Sequence, residues 1–98
     1  MKAVALVQRR VVLAADAFAE MVIWALSEPL PAAKHRFKYR LAYVVADECV
    51  VRYDNERGKG DHRHYSGEEE RYAFVSPDQL IEDFNTDIER WNRENRRP

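Results

Sequence analysis

Alternation of apolar and basic side chains along residues 34–45 constrains the fold of this chain more than any other pattern. Successive side chains of a β-strand point to opposite faces of the sheet, so residues two apart share a face. One face would be basic because no acidic residue occurs between Pro29 and Ala46. The apolar set is Phe37, Tyr39, Leu41, Tyr43 and Val45, and the basic set is Lys34, Arg36, Lys38 and Arg40. The pattern predicts an antiparallel sheet that needs cover on one side only.

Weaker patterns predict four further strands. β-branched residues indicate strands at 3–13 and 17–26, with a helix as the rival for the second segment because it contains good helix formers. A tight turn at Asp47 and Glu48 leads to a strand at 49–54, which should pair with the alternating strand as a hairpin. Residues 55–70 are interpreted as a long loop, and residues 71–75 as a short fifth strand.

One helix is predicted at the carboxyl end of the chain. Ser76 is the expected N-cap, Pro77 occupies the first helical position, and Gln79 should complete a capping box. The helix should run to about Asn95, with one apolar stripe formed by Leu80, Ile81, Phe84, Ile88 and Trp91. The expected fold class is therefore α+β: residues 1–98 form one domain, a five-stranded, mainly antiparallel β-meander with one C-terminal amphipathic helix packed on one face.

Composition limits the classes of function. The net charge of −1 excludes a simple polycation, so any nucleic-acid surface must come from the local placement of charge. The single cysteine, Cys49, cannot form an intramolecular disulfide, which fits a reducing cytoplasm. The amino-terminal segment is a poor signal peptide, and no apolar stretch approaches the roughly 18 residues that span a bilayer. We therefore expect a cytoplasmic protein without a membrane partner.

The stretch from Tyr53 to His64 contains the densest collection of groups that can move protons or bind phosphate. In an extended segment, His62 and His64 point the same way and could act as a general acid and base pair on a phosphodiester. Arg63, Lys59 and Arg40 could stabilise the developing charge. Two alternatives stay open at this point. The histidines could bind a metal together with a carboxylate (Asp54 or Asp61), or they could be surface histidines in a polar loop.

The remaining candidate residues would bind substrate. Cations on alternate positions of a strand can follow a phosphate backbone, and this set contains Arg36, Lys38, Arg40 and, from the neighbouring strand, Arg52. The alternative is a solvated basic face. Gly58 and Gly60 let the backbone approach a ligand closely, although the segment is not a Walker motif. His35 could approach this loop if the third and fourth strands pair, but it is interpreted as an ordinary loop histidine.

At these residues the chain resembles the TumE family of bacterial toxin–antitoxin proteins. The segments that carry the resemblance are Tyr53-Asp54-Asn55, Gly58-Lys59-Gly60-Asp61-His62-Arg63-His64, and His35-Arg36-Phe37-Lys38-Tyr39-Arg40-Leu41-Ala42-Tyr43. The likeness extends along nearly the whole chain, including Trp91 of the C-terminal helix. It implies a small cytoplasmic toxin that is neutralised by a directly bound antitoxin, usually a helix-turn-helix protein. It implies no particular reaction.

The combined hypothesis is a toxin that acts on RNA as a metal-independent endoribonuclease without a cofactor. His62 and His64 would be acid and base, and Asp54 would orient a histidine. Lys59, Arg63 and Arg40 would hold the scissile phosphate. The alternatives are a nucleotidyl-transfer or other modifying toxin, which would require a nucleoside triphosphate and Mg²⁺, and a non-catalytic nucleic-acid- or protein-binding module. A homodimer is also expected as an option, because the first strand leaves a sheet edge unpaired.

Overall fold

The computed structural model describes residues 2–31 and 33–97 and contains one antiparallel sheet and one helix. The sheet order is the chain order, and every strand pairs antiparallel with the next one, so the sheet is a meander. This confirms the predicted α+β class and the predicted meander with a C-terminal helix. The elements are β1 (Ala3–Ala14), β2 (Ala17–Leu26), β3 (Phe37–Val45), β4 (Glu48–Glu56), β5 (Gly60–Tyr65), β6 (Glu68–Arg71) and α1 (Pro77–Glu94).

The sheet has six strands, not the predicted five. The predicted long loop at 55–70 contains β5 and β6, while the predicted fifth strand at 71–75 is irregular after its first residue. Both errors have the same cause, because β5 and β6 carry polar side chains on both faces and therefore lack the alternation of hydropathy that marks a half-buried strand. The turn before β4 is Ala46–Asp47, where φ is +49° and +65°, as the tight two-residue hairpin turn requires.

Helix α1 covers one face of the sheet with the predicted apolar stripe. Leu80, Phe84 and Ile88 are buried, and Ile81 and Trp91 pack against them at the margin. The sheet side of this core consists of the apolar set predicted on β3 together with residues from its neighbours, and its largest buried side chains are Ile23, Tyr39, Leu41, Tyr43, Val51 and Tyr53. Among the described residues, none forms a helix over the opposite face of the sheet. We call it the open face.

The start of α1 follows its sequence signal closely. Ser76 has an extended backbone, and its side chain accepts a hydrogen bond from the Gln79 backbone N–H at 3.1 Å. Pro77 is the first helical residue, where its missing N–H costs no helical hydrogen bond. The side chain of Gln79 does not close the predicted capping box, because it donates instead to Asp83 at 2.8 Å. The helix therefore begins as predicted, but only the hydrogen bond from the Gln79 backbone to the Ser76 side chain of the expected capping box forms.

Asn55 joins β3 to β4 beyond the end of their backbone ladder. The ladder stops at the pair Arg40 and Asp54. One residue further along, the buried Asn55 side chain accepts from the Tyr39 backbone N–H at 2.9 Å and donates to the Phe37 carbonyl at 2.6 Å. An amide can replace two backbone groups because it carries one acceptor and donors together. This contact anchors the base of the hairpin formed by β4 and β5.

The two edges of the sheet differ in length and charge. β6 is a four-residue edge made of three glutamates and Arg71, and short charged edges resist pairing with other chains. β1 has twelve residues, with exposed apolar side chains at Val4, Leu6, Val12 and Leu13. An edge of this kind offers a template for an added strand. Within residues 2–31 and 33–97, no helix is long and apolar enough to cross a membrane.

Candidate functional site

β5 distributes the sequence motif over both faces of the sheet. Because strand side chains alternate, His62 and His64 share the open face, with Cα atoms about 6.6 Å apart by strand geometry. The pairing register places His62 opposite Asp54 and His64 opposite Arg52 on β4. On the neighbouring strand β3, Arg40 lies opposite Asp54. We call this group the open-face cluster, and its members are Arg40, Arg52, Asp54, His62 and His64.

Arg52 and Asp54 surround one ring nitrogen of His64. The Arg52 Nη2 atom lies 3.0 Å from His64 Nε2, and the Asp54 Oδ1 atom lies 3.7 Å from the same nitrogen. A guanidinium group can only donate hydrogen bonds, so His64 Nε2 is the acceptor in this contact. Arg52 therefore occupies the Nε2 lone pair of His64, and that lone pair must be released before His64 can act as a general base.

His62 has partners of the opposite kind. Its Nε2 atom lies 2.8 Å from the Lys59 carbonyl oxygen, and its Nδ1 atom lies 3.2 Å from the Glu69 Oε1 atom. A carbonyl and a carboxylate can only accept, so both ring nitrogens face groups that favour a bound proton. The Glu69 Oε1 atom also lies 3.8 Å from His64 Nε2, so the two histidines share this carboxylate and differ in their nearest contacts, a donor for His64 and acceptors for His62.

Arg52 lies between His64 and the Asp54 carboxylate, and its contact with the carboxylate is not a hydrogen bond of good geometry. Its Nε atom is 3.2 Å from Asp54 Oδ2, yet this buried Nε makes no hydrogen bond to any residue that the structure describes. The Asp54 carboxylate therefore holds this nitrogen by charge and not by a well-directed hydrogen bond, while the Arg52 side chain as a whole is 33% exposed. Arg52 is therefore placed to bind an anionic group on the open face.

The other predicted substrate-binding residues occupy different positions. Lys38 and Arg40 are exposed on the open face of β3, and Arg36 is exposed just before that strand. Lys59 is exposed at the tip of the β4–β5 hairpin, 3.3 Å from Glu56. Gly58 and Gly60 flank it with φ near +80°, and a Cβ atom on Gly58 would meet nothing within 4 Å. Gly58 is therefore required by its backbone conformation and not by lack of space.

Arg63 is the predicted phosphate-binding residue that the structure places on the opposite face of the sheet from the cluster. It lies on the helix-covered face, where it holds Asp87 of α1 through Nε at 2.6 Å and Nη2 at 2.9 Å. The Tyr53 hydroxyl donates to the same carboxylate at 2.5 Å. The Asp87 hydrogen bond raises the pKa of the Arg63 guanidinium, and burial raises the pKa of Tyr53. Arg63 therefore binds the helix to the sheet.

A second polar cluster lies on the helix-covered face, and it contains the approach of His35 to the motif that the sequence analysis gave only as the less favoured alternative. His35 Nε2 is 2.7 Å from Asp61 Oδ2, and the Tyr39 hydroxyl donates to the same oxygen at 2.7 Å. His35 Nδ1 accepts from the Phe37 backbone N–H at 3.1 Å, so the proton of the neutral ring is on Nε2. Burial, followed by the hydrogen bond to Asp61, raises the pKa of Tyr39 above its ordinary range. His35 is thus a structured partner of Asp61 and not an ordinary loop histidine.

This second cluster borders a cavity of about 490 Å³ beside the hairpin tip. We call it the hairpin pocket, and its lining residues are 34–35, 58–61 and 71–74. Asp61, an acidic residue at an inward-facing position of β5, is the one local sequence feature that indicates this pocket. In the parts of the chain that the structure describes, no three His, Cys, Asp or Glu side chains are grouped to hold a metal ion.

The fold and the open-face cluster define the class of this protein: a small α+β protein whose uncovered sheet face carries paired histidines, a carboxylate and arginines. Comparison with family models then identifies the family. The model described as "Toxin TumE" matches residues 2–92, and the chain belongs to the TumE toxin family. Neither the comparison with curated proteins nor the comparison with solved structures found a match.

The assignment of Arg63 to the fold predicts a loss of stability when its charge is removed. We expect Arg63→Gln to lower the free energy of unfolding by about 3 kcal/mol, because it leaves the buried Asp87 carboxylate without its cation. Arg40→Gln, which removes an exposed cation from the open face, should change stability by about 0.5 kcal/mol or less. Urea denaturation followed by circular dichroism measures both. Equal effects of the two substitutions would contradict the structural role of Arg63.

Proposed function

We propose that this TumE toxin is a metal-independent endoribonuclease that uses the open-face cluster. The observation that carries the proposal is the complementary pair of histidines. His64 Nε2 accepts a hydrogen bond from Arg52, while both ring nitrogens of His62 face acceptors. Cleavage of RNA by its own 2′-hydroxyl requires one group that takes a proton and one that gives a proton, and two such histidines supply both.

In the proposed reaction His64 takes the proton from a ribose 2′-hydroxyl. The 2′-oxygen forms a bond to the adjacent phosphorus, and the bond from phosphorus to the 5′-oxygen breaks. His62 gives its proton to that leaving oxygen. The products are a 2′,3′-cyclic phosphate and a 5′-hydroxyl, and neither oxidation nor hydrolysis is needed to balance the step. After turnover the two histidines have exchanged protonation states, so solvent must restore them.

Arg52 has a further role in the proposed sequence of events. In the free protein it occupies the lone pair of His64 at 3.0 Å. A bound phosphate would attract the Arg52 guanidinium, which is partly exposed, through charge-assisted hydrogen bonds. The same movement would release His64 to act as a base. Arg40 would stabilise the charge that develops on phosphorus, and Asp54 would keep Arg52 and His64 oriented.

The cations of β3 extend the proposed RNA site along the open face. Lys38 and Arg40 are exposed and lie two residues apart, a spacing close to that of successive phosphates in an extended strand of RNA. Arg36 continues the line before β3, and Lys59 lies at the hairpin tip. We propose that these side chains position the backbone while the histidines act on one linkage.

The first test is cleavage of RNA by the purified toxin in EDTA. We expect His62→Ala and His64→Ala each to slow cleavage by about 10²- to 10⁴-fold, the usual contribution of one general acid or base. His64→Ala should also remove the rising limb of the pH–rate profile, and His62→Ala should remove the falling limb. Equal unfolding free energies for the variants and the wild type provide the control. The product ends should be 2′,3′-cyclic phosphate and 5′-hydroxyl.

Growth arrest on expression, compared with cleavage in vitro, gives two results that would overturn the nuclease proposal. If the wild type leaves RNA intact in EDTA but arrests growth when expressed, and His64→Ala abolishes the arrest, the open face carries a different reaction. Labelled nucleoside triphosphate with Mg²⁺ would then test nucleotidyl transfer. If arrest survives the double histidine variant, the toxin acts by binding alone.

A binding module is the second candidate, and the exposed cations of the open face favour it. Affinity for single-stranded RNA should decrease with salt, and the slope of log K against log[salt] should become shallower by about 0.7 for each phosphate that is no longer neutralised. We expect Lys38→Gln and Arg40→Gln each to produce this change. Arg93→Gln, on the last turn of α1, is the matched control and should leave the slope unchanged. An unchanged slope in the β3 variants would exclude the open face as the RNA surface.

Family membership supports an antitoxin as the protein partner, and we propose that it covers the edge of β1. This edge is long and apolar at Val4, Leu6 and Val12. A second copy is less suited to it, because antiparallel pairing centred between Gln8 and Arg9 would make Arg10 of each copy a diagonal neighbour of Arg9 of the other on the same face. A homodimer remains the alternative occupant, and the proposed helix-turn-helix class of the antitoxin rests on the resemblance alone.

Amide hydrogen exchange tests this surface. We expect the β1 amides that point away from β2 to gain protection when the antitoxin binds, because an added strand would accept their hydrogen bonds. The amides of the charged β6 edge provide the internal control and should exchange as before. Protection at β6 with unchanged exchange at β1 would contradict the proposal. Concentration-dependent protection of β1 in the toxin alone would indicate a homodimer instead.

A further inference from the structure

The hairpin pocket borders the open-face cluster. Lys59 lines the pocket, and its carbonyl oxygen lies 2.8 Å from His62 Nε2. Arg71 also lines the pocket, and it lies opposite His62 in the β5–β6 register. A ligand in the pocket would therefore lie next to the proposed general acid. The function proposed above leaves the pocket without a role.

The walls of the pocket suit a nucleotide. Its volume of about 490 Å³ is within the usual range for small-molecule sites. Phe74 and Tyr72 supply aromatic surface, on which nucleobases stack. Lys34, Lys59 and Arg71 supply positive charge at the rim. The ion pair of Lys59 with Glu56 does not prevent this, because both side chains are exposed and such pairs are weak.

Asp61 gives the pocket a specific acceptor. Its side chain is 12% exposed, and its Oδ2 atom receives hydrogen bonds from both His35 Nε2 and the Tyr39 hydroxyl. The ring of His35 is itself held by the Phe37 backbone N–H and lies 4.0 Å from the Phe74 ring centre. Among residues 2–31 and 33–97, none donates a hydrogen bond to Asp61 Oδ1. The carboxylate is thus held rigidly with one oxygen unused.

We propose that the hairpin pocket binds one nucleotide of the RNA and selects a base that carries an amino group. The base would lie against the aromatic wall and donate its amino group to Asp61 Oδ1, and its phosphate would contact Lys34 or Lys59. Adenine, cytosine and guanine each carry an amino donor. Uracil offers one N–H between two carbonyl oxygens, which the carboxylate would repel. This inference rests on the proposed function for the claim that the nucleotide belongs to an RNA substrate.

Binding of mononucleotides tests the pocket separately from catalysis, because they contain no linkage that the toxin could cleave. We expect AMP, CMP and GMP to bind wild-type toxin at least about fivefold more tightly than UMP, the effect of one hydrogen bond. Inorganic phosphate should bind more weakly than all four. Calorimetry gives the affinities, and NMR shift changes at Asp61, Tyr72 and Phe74 locate the site. This result can hold even if the histidine variants disprove the nuclease.

Two sets of variants sharpen the test. Asp61→Asn can keep its oxygen on His35 and Tyr39 while its amide nitrogen replaces Oδ1, so the preference should turn towards UMP. Lys34→Ala and Lys59→Ala, which alter only exposed side chains, should weaken all four nucleotides by at least about threefold. Arg57→Ala is the matched control, since Arg57 is an exposed cation in the same hairpin turn that does not line the pocket.

Three outcomes would overturn the proposal. The first is the absence of mononucleotide binding at millimolar concentration. The second is equal affinity for all four bases, or for inorganic phosphate, in the wild type. The third is a loss of affinity in Arg57→Ala as large as in Lys59→Ala, which would indicate attraction by general charge. If Asp61→Asn fails to fold, the base preference of the wild type and the lysine variants still decide the question.

Discussion

The ion pair between Arg63 and Asp87 determines how the motif is presented. Asp87 is 7% exposed on the inward side of α1, and a carboxylate in that position needs a cation and hydrogen bonds to offset its desolvation. Arg63 provides two hydrogen bonds and Tyr53 a third. Because strand residues alternate, an inward Arg63 places His62 and His64 outward. Docking of the helix thus exposes the two histidines on the opposite face.

Those parts of the fold that depend on local signals could be predicted from the sequence. The alternation along β3 fixed its two faces, the Ser76–Pro77 signal located α1, and the apolar runs located β1, β2 and β4. β5 and β6 escaped prediction because each face of β5 carries polar residues with partners elsewhere in the chain. The apolar residues after β6 led to the prediction of a strand that is absent. Phe74 lies in irregular chain there, and its ring packs against His35, Phe37 and Tyr39.

The candidate site also contains contacts that the sequence could predict and contacts that it could not. The common orientation of His62 and His64 follows from their spacing, and the proximity of Asp54 and Arg52 follows from the hairpin that joins β4 to β5. Proximity in sequence is misleading for Arg63, which is adjacent to both histidines and faces away from them. The contact between His35 and Asp61 spans 26 residues and depends on the β2–β3 connection reaching the hairpin tip, where the Gly58 N–H donates to the Pro31 carbonyl at 2.9 Å. No local pattern encodes such a contact.

The two glycines of the motif connect these observations through the register of β5. Gly58 and Gly60 adopt φ near +80°, and the turn they form pairs Glu56 with Gly60. A slip of one residue would turn every β5 side chain to the other face. It would place both histidines beneath α1 and remove Arg63 from Asp87, leaving a buried charge without its partner. The turn and the ion pair therefore enforce the same register, and the glycines support the proposed chemistry by keeping the histidines on the open face.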